Sequence, residues 1–252
     1  NMRRGSRARV STCGTEELTF VSLLKACAHK KDLVKGTKLH AHIMQKGLLT
    51  ERPYIASTLI SMYAKCGMLV KAQEVFDGLK VRNTMVWNQL LTGYSQFGED
   101  NMVLDLFNKM IREKANPDDV TFMIVLNICS LSGLLDKGQM YFEMMNTVYG
   151  ITPTMQHYTC MVNLFSRVGH FDKVINFIKE MTIPADLAVW HTVLDACQKW
   201  RNLKLGKWAF ENAIRLNEKD DPAYICMSNI YADLGMQEEA NKIEVMRLEN
   251  KA

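Results

Sequence analysis

The residue types most able to do chemistry here are seven cysteines and six histidines, and their spacing argues against catalysis. A zinc-activated water needs a His-x-Glu step and a Cys-x-x-Cys pair, so that ligands and proton shuttle meet at one metal. Neither occurs in the chain. His40 and His42 bracket Ala41, but two imidazoles on one helix face need a spacing of four residues. His157, His170 and His191 stand without an evident acidic or cysteine partner. Walker loop, Gly-x-Ser-x-Gly and dinucleotide fingerprints are all missing. The residues therefore predict no catalytic group, no metal and no cofactor, and attention passes to surfaces that bind.

Those surfaces must be set out by a repeat. Gly67, Gly98, Gly133, Gly169 and Gly235 share one context: an apolar stretch, then the glycine, then a second amphipathic stretch, at spacings of 31, 35, 36 and 66 residues. A period of this size marks an array in which each unit buries its apolar face only by stacking on its neighbours. Register on the glycines gives units 17–52, 53–83, 84–118, 119–154, 155–186, 187–220 and 221–252, with positions counted below from the first residue of each unit. Position 4 is aromatic in Phe20, Trp87, Phe122, Tyr158, Trp190 and Tyr224, with Ala56 the exception, and aliphatic pairs follow at positions 7 and 8. Steps of three and four describe one face of a helix. Glycine at position 15 supplies the positive φ that ends it.

A second helix follows, with a mostly small residue at position 20 (Gly36, Ala72, Gly138, Gly206, Ala240, against the larger Val103 and Val174) that is expected to let the two helices of a hairpin approach. Phe76, Phe107, Phe142 and Phe210 come four residues later. The expected fold is all-α, an α-solenoid of stacked helix-turn-helix units.

Bulk properties agree with a folded chain that spans no membrane. Of the 252 residues 48% are hydrophobic and 23% charged, and prolines number five. No run of 18 apolar residues exists. A net charge of +4 permits a polyanionic partner without demanding one. Cys27, Cys129 and Cys197 fall at the phase where other units carry Tyr63, Tyr94, Phe165 and Tyr231, which points to packing and not to a disulfide framework. Residues 1–16 read as a basic tail, with Arg3, Arg4, Arg7 and Arg9 ahead of the first acid at Glu16, a composition like that of an organelle transit peptide or its remnant.

The phrasing of the units carries a family resemblance. Tetratricopeptide repeats place Gly at position 8, where this chain has Leu24, Ile60, Leu91, Leu126, Val162, Leu194 and Ser228. The segments "TFVSLLKACAHKKDLVKGTKLHAHIMQKG", "STLISMYAKCGMLVKAQEVFDGL" and "MVWNQLLTGYSQFGEDNMVLDLFNKMIREKANPD" resemble the long, short and standard units of pentatricopeptide repeats, a plant-type RNA-binding family. "VTFMIVLNICSLSGLLDKGQMYFEMMNTVYGITP" and "HYTCMVNLFSRVGHFDKVINFIKEM" are similar to the last long and short units of its mixed-repeat subclass. "VWHTVLDACQKWRNLKLGKWAFENAIRLNEKD" and "AYICMSNIYADLGMQEEANKI" resemble the two extension motifs that follow. The resemblance covers 17–252, with five repeats over 17–186 and two extension hairpins over 187–252.

The resemblance implies the site. Single-stranded bases are splayed out, flanked by apolar side chains and hydrogen-bonded on their edges. By the family's pattern, the fifth and last residues of each unit read the base. They are Ser57 with Asn83 for adenine, Asn88 with Asp118 for uracil, and Thr159 with Asp186 for guanine. Met123 with Thr154, and Val21 with Arg52, match no base. The reading is A-U-any-G. Tyr54, Met85, Val120 and Gln156 at position 2 would flank the bases, Gln156 being a poor apolar wedge. Lys65 and Arg167 at position 13 would meet phosphates.

Asn, Ser, Thr and Asp at these places are equally the residue types that cap helices. In this subclass such arrays commonly serve C-to-U editing in mitochondria or chloroplasts, and those that end after the second extension motif rely on a deaminase supplied in trans, here through 187–252. Other organellar RNA processing, or a tetratricopeptide-like protein scaffold, are the alternatives. His191 and Ile225, the fifth residues of the extension units, match no base in that pattern.

Overall fold

The computed structural model describes residues 5–250; Arg3 and Arg4 of the expected tail lie outside them. Among the described residues all regular structure is helical, from α1 (Gly5–Lys30) and α2 (Leu33–Gln45) through the single turn α3 (Leu48–Glu51) to six further hairpins. These are α4 and α5 (Pro53–Lys65, Leu69–Asp77), α6 and α7 (Thr84–Gln96, Asp100–Arg112), α8 and α9 (Asp119–Leu131, Leu135–Thr147), α10 and α11 (Met155–Arg167, Phe171–Glu180), α12 and α13 (Leu187–Trp200, Leu203–Leu216), and α14 and α15 (Asp221–Asp233, Gln237–Glu249). The fold is the all-α solenoid of stacked hairpins. No described helix is long and apolar enough to cross a membrane. Helix α1 begins at Gly5 and not near residue 17, since no proline interrupts 5–16 and the helix propagates through them.

The chain divides into two compact units, Asn1–Ile124 and Val125–Ala252. Within the first, α1, α4 and α6 pack in succession; within the second, α10, α12 and α14 do the same. In both, the aromatic at position 24 of one hairpin meets the aromatic at position 4 of the next, edge to face or tilted. Phe76 meets Trp87 with ring centres 4.6 Å apart, Phe107 meets Phe122 at 5.6 Å, Phe142 meets Tyr158 at 5.7 Å and Phe210 meets Tyr224 at 5.1 Å. Each such ring pair adds roughly 0.5–1.5 kcal/mol beyond its buried area. His40 occupies the same phase in the first hairpin and turns to Tyr63, its Nδ1 2.9 Å from the phenol oxygen, while His42 packs on Phe20. The two imidazoles thus go to different partners. Burial holds the His40 pKa below its ordinary value, with Lys71 adding to the effect.

Every first helix ends in the same way. The N–H of position 16 donates to the carbonyl of position 11, as in Met68 to Tyr63 at 2.9 Å and Leu134 to Cys129 at 2.8 Å, which requires a left-handed residue at position 15. The five glycines supply it with φ from 66° to 79°, and Lys31 and Arg201 adopt φ of 53° and 54° without one. Cys27, Cys129 and Cys197 are buried and unbridged. Burial raises all three thiol pKa values, that of Cys129 to about 11 and that of Cys197 to about 12, so they act as packing groups.

The small residues at position 20 do other work than expected. A Cβ on Gly36 would lie 2.6 Å from Met62 Sδ, and one on Gly138 would collide with Leu164 Cδ2, both on the first helix of the following hairpin. Contact inside the hairpin is looser, Gly138 to Cys129 Cβ being 3.4 Å. The close approach is therefore chiefly between neighbouring hairpins. Gly93, on α6, is less forgiving: its Cβ would meet Ala64 Cβ at 2.8 Å, where no flexible side-chain end can move aside.

Gly93→Val is expected to destabilise the chain by about 1–3 kcal/mol through forced separation of α4 and α6. At roughly 2–4 °C per kcal/mol for this length, thermal denaturation followed by circular dichroism should show a clear fall in melting temperature. An unchanged melting temperature would contradict the tight α4–α6 contact.

Candidate nucleic-acid interface

The candidate residues are placed by helix starts. Because α4, α6, α8, α10, α12 and α14 begin at Pro53, Thr84, Asp119, Met155, Leu187 and Asp221, Arg52, Asn83, Asp118, Thr154, Asp186 and Asp220 sit at the helix N-caps. The first turn of a helix leaves N–H groups without partners, and Asn, Asp, Ser and Thr side chains accept from them. Asn83 Oδ1 accepts from Val86 N–H at 3.1 Å, Asp118 Oδ1 from Thr121 N–H at 2.9 Å and Asp186 Oδ1 from Val189 N–H at 3.1 Å. Thr154 forms a capping box with His157. Arg52 is instead ion-paired with Glu17 at 3.0 Å, and Val21 is buried and apolar, so neither offers a free hydrogen-bonding group to a base.

Asn88 and Asp118 come together. The amide Nδ2 donates to Asp118 Oδ1 at 2.8 Å, and the Thr121 hydroxyl lies 2.7 Å from Asn88 Oδ1 and 2.8 Å from Asp118 Oδ1. A carboxylate only accepts, so Nδ2 is the Asn88 atom facing Asp118, and the amide orientation is fixed. Thr121 has one hydroxyl proton to share between its two acceptors. Asn88 is only 6% exposed; its amide keeps a second N–H and a second carbonyl lone pair, the donor–acceptor combination that complements a uracil edge.

Ser57 and Thr159 are not bonded to their expected partners. The Ser57 hydroxyl lies 3.0 Å from Tyr54 O and 3.3 Å from Met85 Sδ, while Thr159 donates back to Met155 O at 2.9 Å. Each keeps its oxygen lone pairs as acceptors. Ser57, 4% exposed, lies in the wall of a groove of about 790 Å³ that Tyr54, Lys65, Met85, Lys25 and His29 also line. Tyr54 is 44% exposed, Met85 40% and Val120 40%, an apolar row at position 2 where solvent exposure is otherwise costly. Lys25 Nζ lies 5.7 Å from the Tyr54 ring centre. Gln156 is exposed and polar at the same register, and Met123 is half-buried. Lys65 and Arg167 are both exposed, and Arg167 reaches back to Leu131 O at 3.2 Å.

One pair was missed. His191 Nε2 lies 2.6 Å from Asp220 Oδ2. The acid it meets is not one of its sequence neighbours, Asp186 and Asp195, but Asp220, the last residue of the unit in which His191 is the fifth. Register could have found the pair.

The sequence matches the PPR repeat family over residues 82–130 and the PPR repeat over 54–84, 120–147 and 156–182. It is 38% identical over 230 residues to a chloroplastic pentatricopeptide repeat-containing protein of Arabidopsis thaliana, covering 91% of this chain and 27% of that one. A second Arabidopsis thaliana pentatricopeptide repeat-containing protein is 36% identical over 233 residues, covering 91% of this chain and 42% of that one. The chain is a pentatricopeptide repeat protein. It spans about a quarter to two fifths of the length of these relatives.

The fold agrees. Maize PPR10, solved in complex with an 18-nucleotide psaJ RNA element, superposes with a TM-score of 0.72 at 18% identity, over 99% of this chain and 38% of that one. The pentatricopeptide repeat domain of Arabidopsis protein-only RNase P 1, in complex with tRNA, gives 0.51 at 16%, over 65% and 87%.

Within this pentatricopeptide repeat protein the buried Thr121 hydroxyl is expected to orient Asn88. Thr121→Val keeps the volume but leaves Asn88 Oδ1 without that donor, at a cost of about 1–3 kcal/mol. Thermal unfolding should fall by several degrees, while Thr121→Ser, which keeps the hydroxyl, should fall less. Equal melting of the two variants would remove Thr121 from the pair.

Proposed function

We propose that the chain is a sequence-selective single-stranded RNA-binding protein. The observation that carries this reading is the groove over Ser57, where a polar group on a base edge's scale is flanked by exposed Tyr54 and Met85 and edged by Lys65. Aromatic and apolar flanks stack on bases, and lysine meets the phosphate. Asn88 with Asp118 would supply the next contact, and Thr159 with Asp186 a later one, for a site of the form A-U-N-G. Asn83 and Asp186 serve as caps and offer their remaining lone pairs. Met123 with Thr154 offers no matching polar pair and would tolerate any base. The RNA complexes formed by PPR10 and by the RNase P 1 repeat domain support RNA as the partner.

The finer role is specificity factor in organellar C-to-U editing, in mitochondrion or chloroplast, with a deaminase recruited through 187–252. Its supports are the extension-like hairpins and relatives described as chloroplastic.

Filter binding at physiological salt should favour an unstructured RNA bearing A-U-N-G over one with the core scrambled by about tenfold. Asn88→Ala with Asp118→Ala should abolish the preference for uracil at the second base. Lys65→Ala and Arg167→Ala should each weaken all RNAs alike and flatten the salt dependence by about 0.7 in the log–log slope. Equal binding of the cognate and scrambled RNAs by the unaltered chain would sink the reading.

A further inference from the structure

We propose that the cavity between α2 and α5 is a binding site for a flat, uncharged heteroaromatic molecule the size of a fused ring pair. The site is independent of the RNA-binding reading, because it shares no lining residue with the groove over Ser57.

The seam between the first two hairpins lacks the ring pair that closes later ones. Phe76 meets Trp87, Phe107 meets Phe122, Phe142 meets Tyr158 and Phe210 meets Tyr224. Here position 24 is His40 and position 4 is Ala56. An imidazole is smaller than a phenyl ring, and a methyl group stands where those seams place a second ring. His40 turns to Tyr63 instead, with ring centres 5.6 Å apart.

A cavity of about 600 Å³ is lined by His40 and Tyr63, a size within the roughly 300–1,000 Å³ of small-molecule sites. Ala41 and Met44 of α2, Leu49 of α3, Val75 of α5 and Leu79 just beyond it supply apolar walls. Met44 is left 57% exposed, apolar surface that an occupant would remove from water.

The polar groups on the wall decide the kind of occupant. Lys71 Nζ is held 2.7 Å from Glu74 Oε2, so these two charges offset each other. Burial, with Lys71 adding to it, keeps His40 below its ordinary pKa and neutral at pH 7. A wall without net charge disfavours an ion, whose lost hydration nothing would offset. Tyr63 is 2% exposed, and a buried phenol needs an acceptor for its proton. His40 Nδ1, at 2.9 Å, is that acceptor, so the imidazole carries its own proton on Nε2. The group that His40 has left for an occupant is therefore an N–H donor. It calls for an acceptor such as a ring nitrogen, while the two rings beside it favour aromatic packing.

Quinoline has this chemistry: fused rings, an acceptor nitrogen and no charge at neutral pH. The test titrates it into the full chain carrying carbon-13 at the methionine methyls, the Met44 signal being the one lost in Met44→Leu. A saturable shift of that signal at submillimolar to millimolar quinoline is expected. N-Methylquinolinium, charged and without the acceptor, should bind at least about fivefold more weakly. Ala41→Trp, at an exposed position, should fill the cavity and weaken quinoline at least about tenfold. Gly78→Leu should do the same from the α5 side, where a Cβ meets nothing closer than Glu74 O at 3.4 Å. Circular dichroism identifies which filling variant keeps the parent fold. An absent or unsaturable Met44 shift, equal affinity for N-methylquinolinium, or undiminished quinoline binding in a folded filling variant overturns the proposal.

Discussion

The contact on which the structure depends is the ring-on-ring seam between successive hairpins. Phe76 on Trp87, Phe107 on Phe122, Phe142 on Tyr158 and Phe210 on Tyr224 each bury an aromatic that its own hairpin cannot cover. Trp87, Phe76, Phe107 and Phe122 are fully buried. Each seam docks position 4 of a first helix. The residue just before that helix and the residue at position 5 are therefore placed by packing, before any ligand arrives. Preorganisation of this kind lowers the ordering cost that binding would otherwise carry. The glycines enforce the same spacing from the other side, since Gly36 and Gly138 admit Met62 and Leu164 at distances that no Cβ would allow.

A helix start needs an acceptor, and that need puts a polar side chain beside position 5 of the preceding hairpin. Physics decides that the residue be Asn, Asp, Ser or Thr; it does not decide which. The remaining freedom is where recognition can be written without loss of stability. Asp118 shows both duties on one carboxylate: Oδ1 takes the Thr121 N–H and the Asn88 amide together. Asp220 shows one duty removed, its carboxylate given over to His191. Capping accounts for Asn83 and Asp186 taken alone, and the His191 ring accounts for Asp220.

What the sequence made legible was whatever recurs at helical spacing. The apolar positions 4, 7 and 8 and the left-handed glycines recur, so the hairpins and their stacking could be read directly. Two left-handed ends were invisible because Lys31 and Arg201 replace glycine and tolerate the conformation at about 1–2 kcal/mol each. The partner of the small residue at position 20 was misjudged because pattern gives a face and not what meets it. Both faces of a thin helix in a stacked array are apolar, and only the coordinates show that Met62 and Leu164 come from the next hairpin. His191 was placed by register as a fifth residue, but its acid lies 29 residues away and the contact between them is not part of any helical period.

The same register explains why selectivity in such a chain must be sparse. A hydrogen-bonded pair yields a few kcal/mol of discrimination at most, and it needs polar groups at two places that the packing tolerates as apolar. Met123 is half-buried beside exposed Val120, so that unit gains contact area and gives up a polar reader. Val21 is buried outright and Arg52 is spent on Glu17. Units that lean on apolar burial contribute reach and affinity, since stacking accepts every base. Units that keep a cap acceptor beside a polar fifth residue contribute choice. On the proposed RNA-binding reading, alternation between the two would space the readers along the RNA, and the preferred site would be a pattern with gaps and not a continuous word.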